Sequence, residues 1–192
     1  MATIAVVFHS GYGHTARQAE AVARGAGSVA GVEARLLGVD EAQREWEWLA
    51  AADAIVFGAP TYMGSLSAPF KAFMDASSKA WFTLAWRDKL AAGFTNSGSH
   101  SGDKLNSLIQ LAVFAAQHSM VWVGLGLMPG NNSSKGSPED LNRAGFFLGA
   151  GAQSNVDQGP GHGPSASDLR TAEHLGRRVA EAALRWKRGG GR

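Results

Sequence analysis

The chain has 192 residues, 45% of them hydrophobic, with 18 Lys and Arg against 16 Asp and Glu for a formal charge of +2. That length allows one domain with a substantial core, and the balance of apolar and charged residues excludes a disordered chain. Cysteine is absent, which excludes disulfides, thiolate metal sites and cysteine nucleophiles, and no run approaches the roughly 18 to 20 apolar residues of a membrane helix.

Residues 3–8 (TIAVVF) read as a buried strand, with no basic, apolar and small-residue leader before it, so the expected location is cytoplasmic. A glycine-rich turn, HSGYGHTA, leads into a helix over 14–26. A second strand covers 31–39, a helix 40–51, and an apolar strand 53–60. The helix over 67–81 takes Ser67 as N-cap and Pro69 in its first turn, where a missing N–H costs little. The strand beginning at 90 runs into a second loop of glycines and hydroxyls, TNSGSHSGD, ending at 103. A helix over 104–120 and a strand over 120–126 follow. Residues 124–165 are rich in Gly, Asn, Ser and Pro; within them SPEDLNRAGFF reads as a short helix capped by Ser137. The final helix spans 166–187, capped by Ser165 or Ser167, and its basic end reads as a solvated face.

This organisation is one domain, 1–188, with a long loop at 124–165 and a flexible tail at 189–192. Five strands alternate with helices and are apolar on both faces, as in a parallel sheet covered on each side. The long loop exceeds a plain connector, so it reads as a wall of the site or an association surface. No nucleic-acid motif with interleaved aromatics is present, and the six histidines lack metal-ligand spacing, so no metal site is expected.

A glycine-rich turn between strand and helix suits a phosphate. Gly11-x-Gly13-x-x-Ala16 formally matches a dinucleotide fingerprint. Against that, no acidic residue closes the second strand, because Glu33 lies inside it and Asp40 comes late, and the chain has no length for a separate substrate domain. Ser10 and Thr15 bracket the turn and suit a terminal monophosphate, which has more bare oxygens than a bridging pyrophosphate. The Gly-Lys-Ser/Thr of an NTPase loop is missing. GSHSG at 98–102 has the outline of a nucleophile elbow, but its central residue is His100 rather than serine. Ligands of open parallel sheets sit beyond the carboxyl ends of the strands. There the chain places SGYGHT, GAPTYMGSLS and TNSGSHSGD, three polar loops outlining one elongated site.

HSGYGHT, GAPTYMGSLSAPFKAFMD and TNSGSHSGD together resemble the three FMN loops of flavodoxin-fold NAD(P)H:quinone oxidoreductases of the WrbA type. The resemblance covers most of residues 3–123. It implies a flavodoxin-like, doubly wound α/β fold with a five-stranded parallel sheet of order 2-1-3-4-5. It also implies that Ser10, Gly11, Tyr12, Gly13, His14 and Thr15 hold the FMN phosphate. Pro60, Thr61, Tyr62, Met63 and Gly64 would contact the isoalloxazine ring, and Asn96, Ser97, Gly98, Ser99, His100 and Ser101 its pyrimidine edge. Trp81 matches the aromatic that the family places over the flavin, and Tyr12 a position of the nicotinamide site. Gln117 stands where one member of a His-His pair faces the flavin.

Three departures stand out. The family's PTRFGNM is PTYMGSL here, its His-His pair is Gln117-His118, and its insertion after the second strand, which contributes to a tetramer, is missing between Asp40 and Asp53. A homodimer is therefore expected as readily as a homotetramer. The implied activity is two-electron transfer from NADH or NADPH, through FMN, to quinones or similar flat acceptors. The alternatives are a one-electron flavodoxin-type carrier, which is usually strongly acidic, and a non-catalytic flavin-binding regulatory module. Within the enzymes, an FMN reductase that releases its flavin and a nitro- or azo-reductase also remain open.

Overall fold

The structure, a computed structural model, describes residues 1–190; the last two residues of the expected 189–192 tail lie outside the described residues. In chain order the elements are β1 (Ala2–Phe8), α1 (His14–Gly27), β2 (Val32–Gly38), α2 (Val39–Ala42), α3 (Trp46–Ala51), β3 (Ala54–Tyr62) and β4 (Ser65–Leu66). They continue with α4 (Ala68–Ala76), α5 (Ser78–Phe82), β5 (Leu90–Ser97), α6 (Lys104–Gln117), β6 (Val121–Trp122), β7 (Ala150–Gln153) and α7 (Ala166–Arg188).

The sheet runs β2-β1-β3-β5-β6, and every neighbouring pair on that path is parallel. β4 is a short antiparallel return on the end of β3. The expected fifth strand is divided. β6 pairs with the first residues of β5, Leu90↔Val121 and Ala91↔Trp122, and β7 with the last, Phe94↔Ala150 to Ser97↔Gln153. β6 and β7 therefore lie end to end as one edge strand interrupted by residues 123–149, and the order 2-1-3-4-5 holds with the β4 return left aside. The fold is flavodoxin-like α/β.

Three local expectations are corrected. The helix expected over 40–51 is broken into α2 and α3, with Glu45 outside helical geometry. The helix over 67–81 breaks at Ser77, whose hydroxyl donates to the Met74 carbonyl and meets His118 Nε2. A side chain bonding the local backbone competes with the helical ladder. SPEDLNRAGFF forms turns rather than a helix. Ser137 does receive the Glu139 N–H on its hydroxyl, while its own N–H donates to Asp140, and that closes a turn instead of opening a helix. Among the described residues no helix is long and apolar enough to cross a membrane.

The two faces of the sheet are packed differently. One buries mostly small aliphatic side chains, such as Ile4, Val6, Ala19, Val22, Leu175 and Val179, beneath α1 and α7. There the two helices touch backbone to backbone: a Cβ on Gly25 would overlap the Glu173 carbonyl, and one on Gly176 the Val22 carbonyl. The other face is aromatic. Phe57, Phe70, Phe73, Phe114 and a fully buried Trp86 interlock, with Trp46 stacked on Phe73 at 5.5 Å between centroids. His118 sits in this layer, its ring 4.2 Å from Trp86, its Nε2 2.9 Å from Ser77 Oγ and its Nδ1 buried without a partner. Burial pushes its pKa down to about 4.

Three outcomes follow from this packing. Gly176→Ala should destabilise the fold by about 1 to 3 kcal/mol in urea unfolding, since neither backbone can give way. Gly27→Ala, where a Cβ meets only Ala34 Cβ at 4.0 Å, should be neutral or stabilising. His118 titrates lower folded than unfolded, so its contribution is complete above about pH 6.5 and is lost as pH falls toward 4. Stability should therefore drop by about 2 kcal/mol more between pH 7.5 and 5 in the parent chain than in His118→Leu.

Candidate functional site

β1, β3 and β5 end at one edge of the sheet, and the loops that follow enclose a cavity of about 730 Å³. The first loop is rooted by His9, whose Nδ1 lies 2.8 Å from Ser67 Oγ at the start of α4. Burial lowers that imidazole's pKa, against the charge of Asp40. Gly13 is the N-cap of α1 with φ 88°, left-handed backbone that L side chains rarely adopt. Its N–H donates to Ser10 Oγ at 3.1 Å. No side chain caps α1 and no acidic residue stands in its first turn. The first-turn N–H groups and the positive end of the helix dipole are thus left for an anion. Beside them lie the buried Thr15 and His14, whose Nε2 is buried with no hydrogen-bond partner.

The second loop supplies apolar surface. Thr61 turns inward, its hydroxyl 2.8 Å from those of Thr95 and Ser107. Tyr62 and Met63 turn outward; Met63 is fully exposed and takes a left-handed φ of 47°. The Tyr62 ring meets that of Tyr12 edge to face at 6.2 Å. Burial, and then Tyr12, raise the Tyr62 phenol above its ordinary pKa, with a Gly11 backbone hydrogen bond pulling the other way.

The third loop is held from behind. Asn96 Oδ1 accepts from Ser154 Oγ at 3.0 Å, and Gly98 O from Gln153 Nε2 at 2.9 Å. Lys104, fully buried at the start of α6, donates to Ser97 Oγ, Ser99 O and His100 O at 2.7, 2.8 and 2.9 Å. Burial brings its pKa down to about 8. The roof comes from the segment after β7: Ser154, Val156, Gln158 and Gly159 line the cavity, and Arg17 Nη1 donates to Pro160 O at 3.3 Å.

Of the residues expected at the site, Ser10, Tyr12, His14, Thr15, Pro60, Thr61, Tyr62, Met63, Gly64, Asn96, Ser97, Gly98 and Ser99 line this one cavity. Gly11 and Gly13 belong to its first loop without lining it, and His100 and Ser101 to its third. Gln117 and Trp81 are not brought there. Gln117 closes α6 at the end remote from Lys104, about 20 Å along the helix. Trp81 lies in α5, joined through Ser77 to His118 just beyond Gln117, so both stand toward the opposite edge of the sheet. Gly102, Ser154 and Val156 were not singled out from the sequence, whereas Gln158 and Gly159 lie in DQGPGHGP, the part of the long loop expected to wall the site. Lys104 was also missed, because a lysine opening a helix ordinarily points to solvent. A helix terminus with neighbouring hydroxyls, an aromatic border and a polar backbone loop suit a phosphate monoester carrying a flat, partly polar ring.

Comparison with known proteins agrees with that chemistry. The family described as NADPH-dependent FMN reductase matches residues 37–130. The chain is 45% identical to Flavodoxin FldP of Pseudomonas aeruginosa, over 94% of this chain and 96% of that protein. It is 30% identical to an NAD(P)H dehydrogenase (quinone) of Syntrophobacter fumaroxidans, over 96% of this chain and 98% of that one. The crystal structure of a flavodoxin, WrbA-like protein from Agrobacterium tumefaciens superposes with a TM-score of 0.75 at 43% identity, covering 96% of this chain and 99% of that chain.

Proposed function

The chain belongs to the WrbA-type, flavodoxin-like FMN family, oxidoreductases with NAD(P)H as electron donor, and from that premise we propose that it passes two electrons from NADH or NADPH to a quinone or a similarly flat acceptor. The observation carrying this reading is the single cavity that joins an uncapped helix N-terminus, a polar backbone loop and an open aromatic mouth. Bound FMN supplies the electron-transfer chemistry, and the protein supplies binding, orientation and electrostatics. The N–H groups opening α1, with the hydroxyls of Ser10 and Thr15, hold the phosphate. Pro60, Thr61, Tyr62, Met63 and Gly64 border the ring. The backbone from Asn96 to Ser101 faces the ring's polar edge and stabilises negative charge there. Tyr12 is 77% exposed at the mouth; with one face of the ring open, the nicotinamide departs before the acceptor enters. Trp81 has no part in this site within one chain.

A one-electron carrier is the second reading, favoured by the 45% identity to a protein named as a flavodoxin. The formal charge of +2 counts against it, because acidic surfaces steer such carriers to basic partners. The two separate in a steady-state assay of the FMN-loaded chain with NADH or NADPH and benzoquinone. Sustained nicotinamide oxidation supports the enzyme; retained FMN without turnover supports the carrier.

The phosphate assignment has its own check. Thr15→Val keeps the side-chain shape and removes one hydroxyl donor to a charged group, so the FMN dissociation constant should rise roughly tenfold. Riboflavin, which has no phosphate, should bind the variant and the parent chain alike.

A further inference from the structure

Behind the third loop stands a buried cation that the reading above does not use. Lys104 is fully buried, and all three of its donors are spent on the loop, on Ser97 Oγ, Ser99 O and His100 O. Gln153 Nε2 takes the preceding carbonyl, Gly98 O, at 2.9 Å. Three successive carbonyls are thereby drawn toward the half-buried Gln153 and the buried Lys104. In a planar trans peptide each C=O points opposite to the N–H that follows it. The N–H groups of Ser99, His100 and Ser101 therefore project from the other side of the loop, and none has a backbone acceptor among the described residues. Ser97, Gly98 and Ser99 line the cavity whereas Lys104 does not, so the loop stands between the ammonium and the cavity.

The charge behind this wall is not cancelled. Two charged groups bear on Lys104. Asp168, on α7, favours the ammonium, and Arg143, on the segment between β6 and β7, opposes it. Asp168 is already committed to Arg143 by two hydrogen bonds of 2.8 and 2.7 Å, and it accepts the Gln153 N–H at 3.0 Å. Lys104 and Arg143 share the buried Asp168, and Glu139 acts on Arg143 from its exposed position, so the ammonium behind the loop has no carboxylate of its own.

We propose that Lys104, seconded by Gln153, is the positioning residue that makes this site hold the reduced ring of FMN, with its extra negative charge at the polar edge, more tightly than the oxidised ring. The inference rests on the FMN reading of the cavity. Its consequence is a bound flavin that is easier to reduce than one held by the same loop without the cation.

The test uses the full chain with FMN. The affinity for oxidised FMN is taken from fluorescence quenching, and the two-electron potential of the bound couple from equilibration with a reference dye at pH 7. In Lys104→Met the affinity for the reduced form should fall at least tenfold more than that for the oxidised form, a lowering of the potential by about 30 mV or more. Lys104→Arg should recover most of it. Equal weakening of both forms, or no change in either, would overturn the proposal and leave Lys104 a packing residue. A parent chain that binds no FMN would overturn the site reading itself.

If Lys104→Met does not fold, the parent chain answers through pH. Since Lys104 titrates near 8, reduction should draw an additional proton onto it above that pH, and the potential of bound FMN should fall more steeply with pH than that of free FMN. A bound potential running parallel to the free one from pH 7 to 10 would overturn the proposal.

Discussion

The parallel pairing of β1, β3 and β5 forces their connections to leave at one edge of the sheet, and everything the site can do depends on that. Each of these strands is apolar on both faces, so each needs a helical layer above and below. Each must then hand the chain to a crossover helix from the same edge. Three loops far apart in sequence meet for that reason alone. The positive end of α1 faces the place where they meet, since a helix that follows a strand begins where the strand stops.

The loops themselves are short and polar and would not keep a shape unaided. Their shape comes from buried polar groups one layer below the cavity. The hydroxyls of Thr61, Thr95 and Ser107 lock β3 to β5 and α6. Lys104 and Gln153 lock the carbonyls of Gly98, Ser99 and His100, and Asp168 joins Gln153 and Arg143 at the start of α7. Each such group would be costly if left unsatisfied, so the network behaves as a unit, with little slack for the loops it supports. The mouth is the reverse: Tyr12, Tyr62 and Met63 are exposed, and the roof from Ser154 to Pro160 is tied down through Asn96 and Arg17. A rigid floor beneath an adaptable apolar rim suits a fixed cofactor and exchanging flat partners.

The sheet, its order and the glycine-rich turn into α1 were legible because they rest on strong local signals: continuous apolar runs, glycines between a strand and a helix, and hydroxyls at fixed places beside them. The divided fifth strand was not legible. β7 is Ala-Gly-Ala-Gln, with no β-branched or aromatic residue, and it is a strand only because β5 pairs with it and Gln18 Nε2 donates to Ala150 O. Its small side chains fit beneath α7, which local propensity does not register. Ser77 ended a helix that its periodicity would have continued, through a bond to a histidine 41 residues away. Lys104 reads as a surface residue until the loop before it is folded over its side chain. Trp81 and Gln117 lie away from this chain's cavity for a spatial reason: the helices carrying them run away from it.

The central claim is that the three loops hold FMN with its phosphate at the N-terminus of α1 and the polar edge of its ring against the Asn96 to Ser101 backbone. A crystal structure of the chain grown with FMN tests that most directly. The account predicts the phosphate within hydrogen-bond distance of the first-turn N–H groups of α1 and of the Ser10 and Thr15 hydroxyls, with the N–H groups of Ser99, His100 and Ser101 turned toward the ring. FMN bound elsewhere on the chain, or in this cavity with its phosphate away from α1, would contradict it.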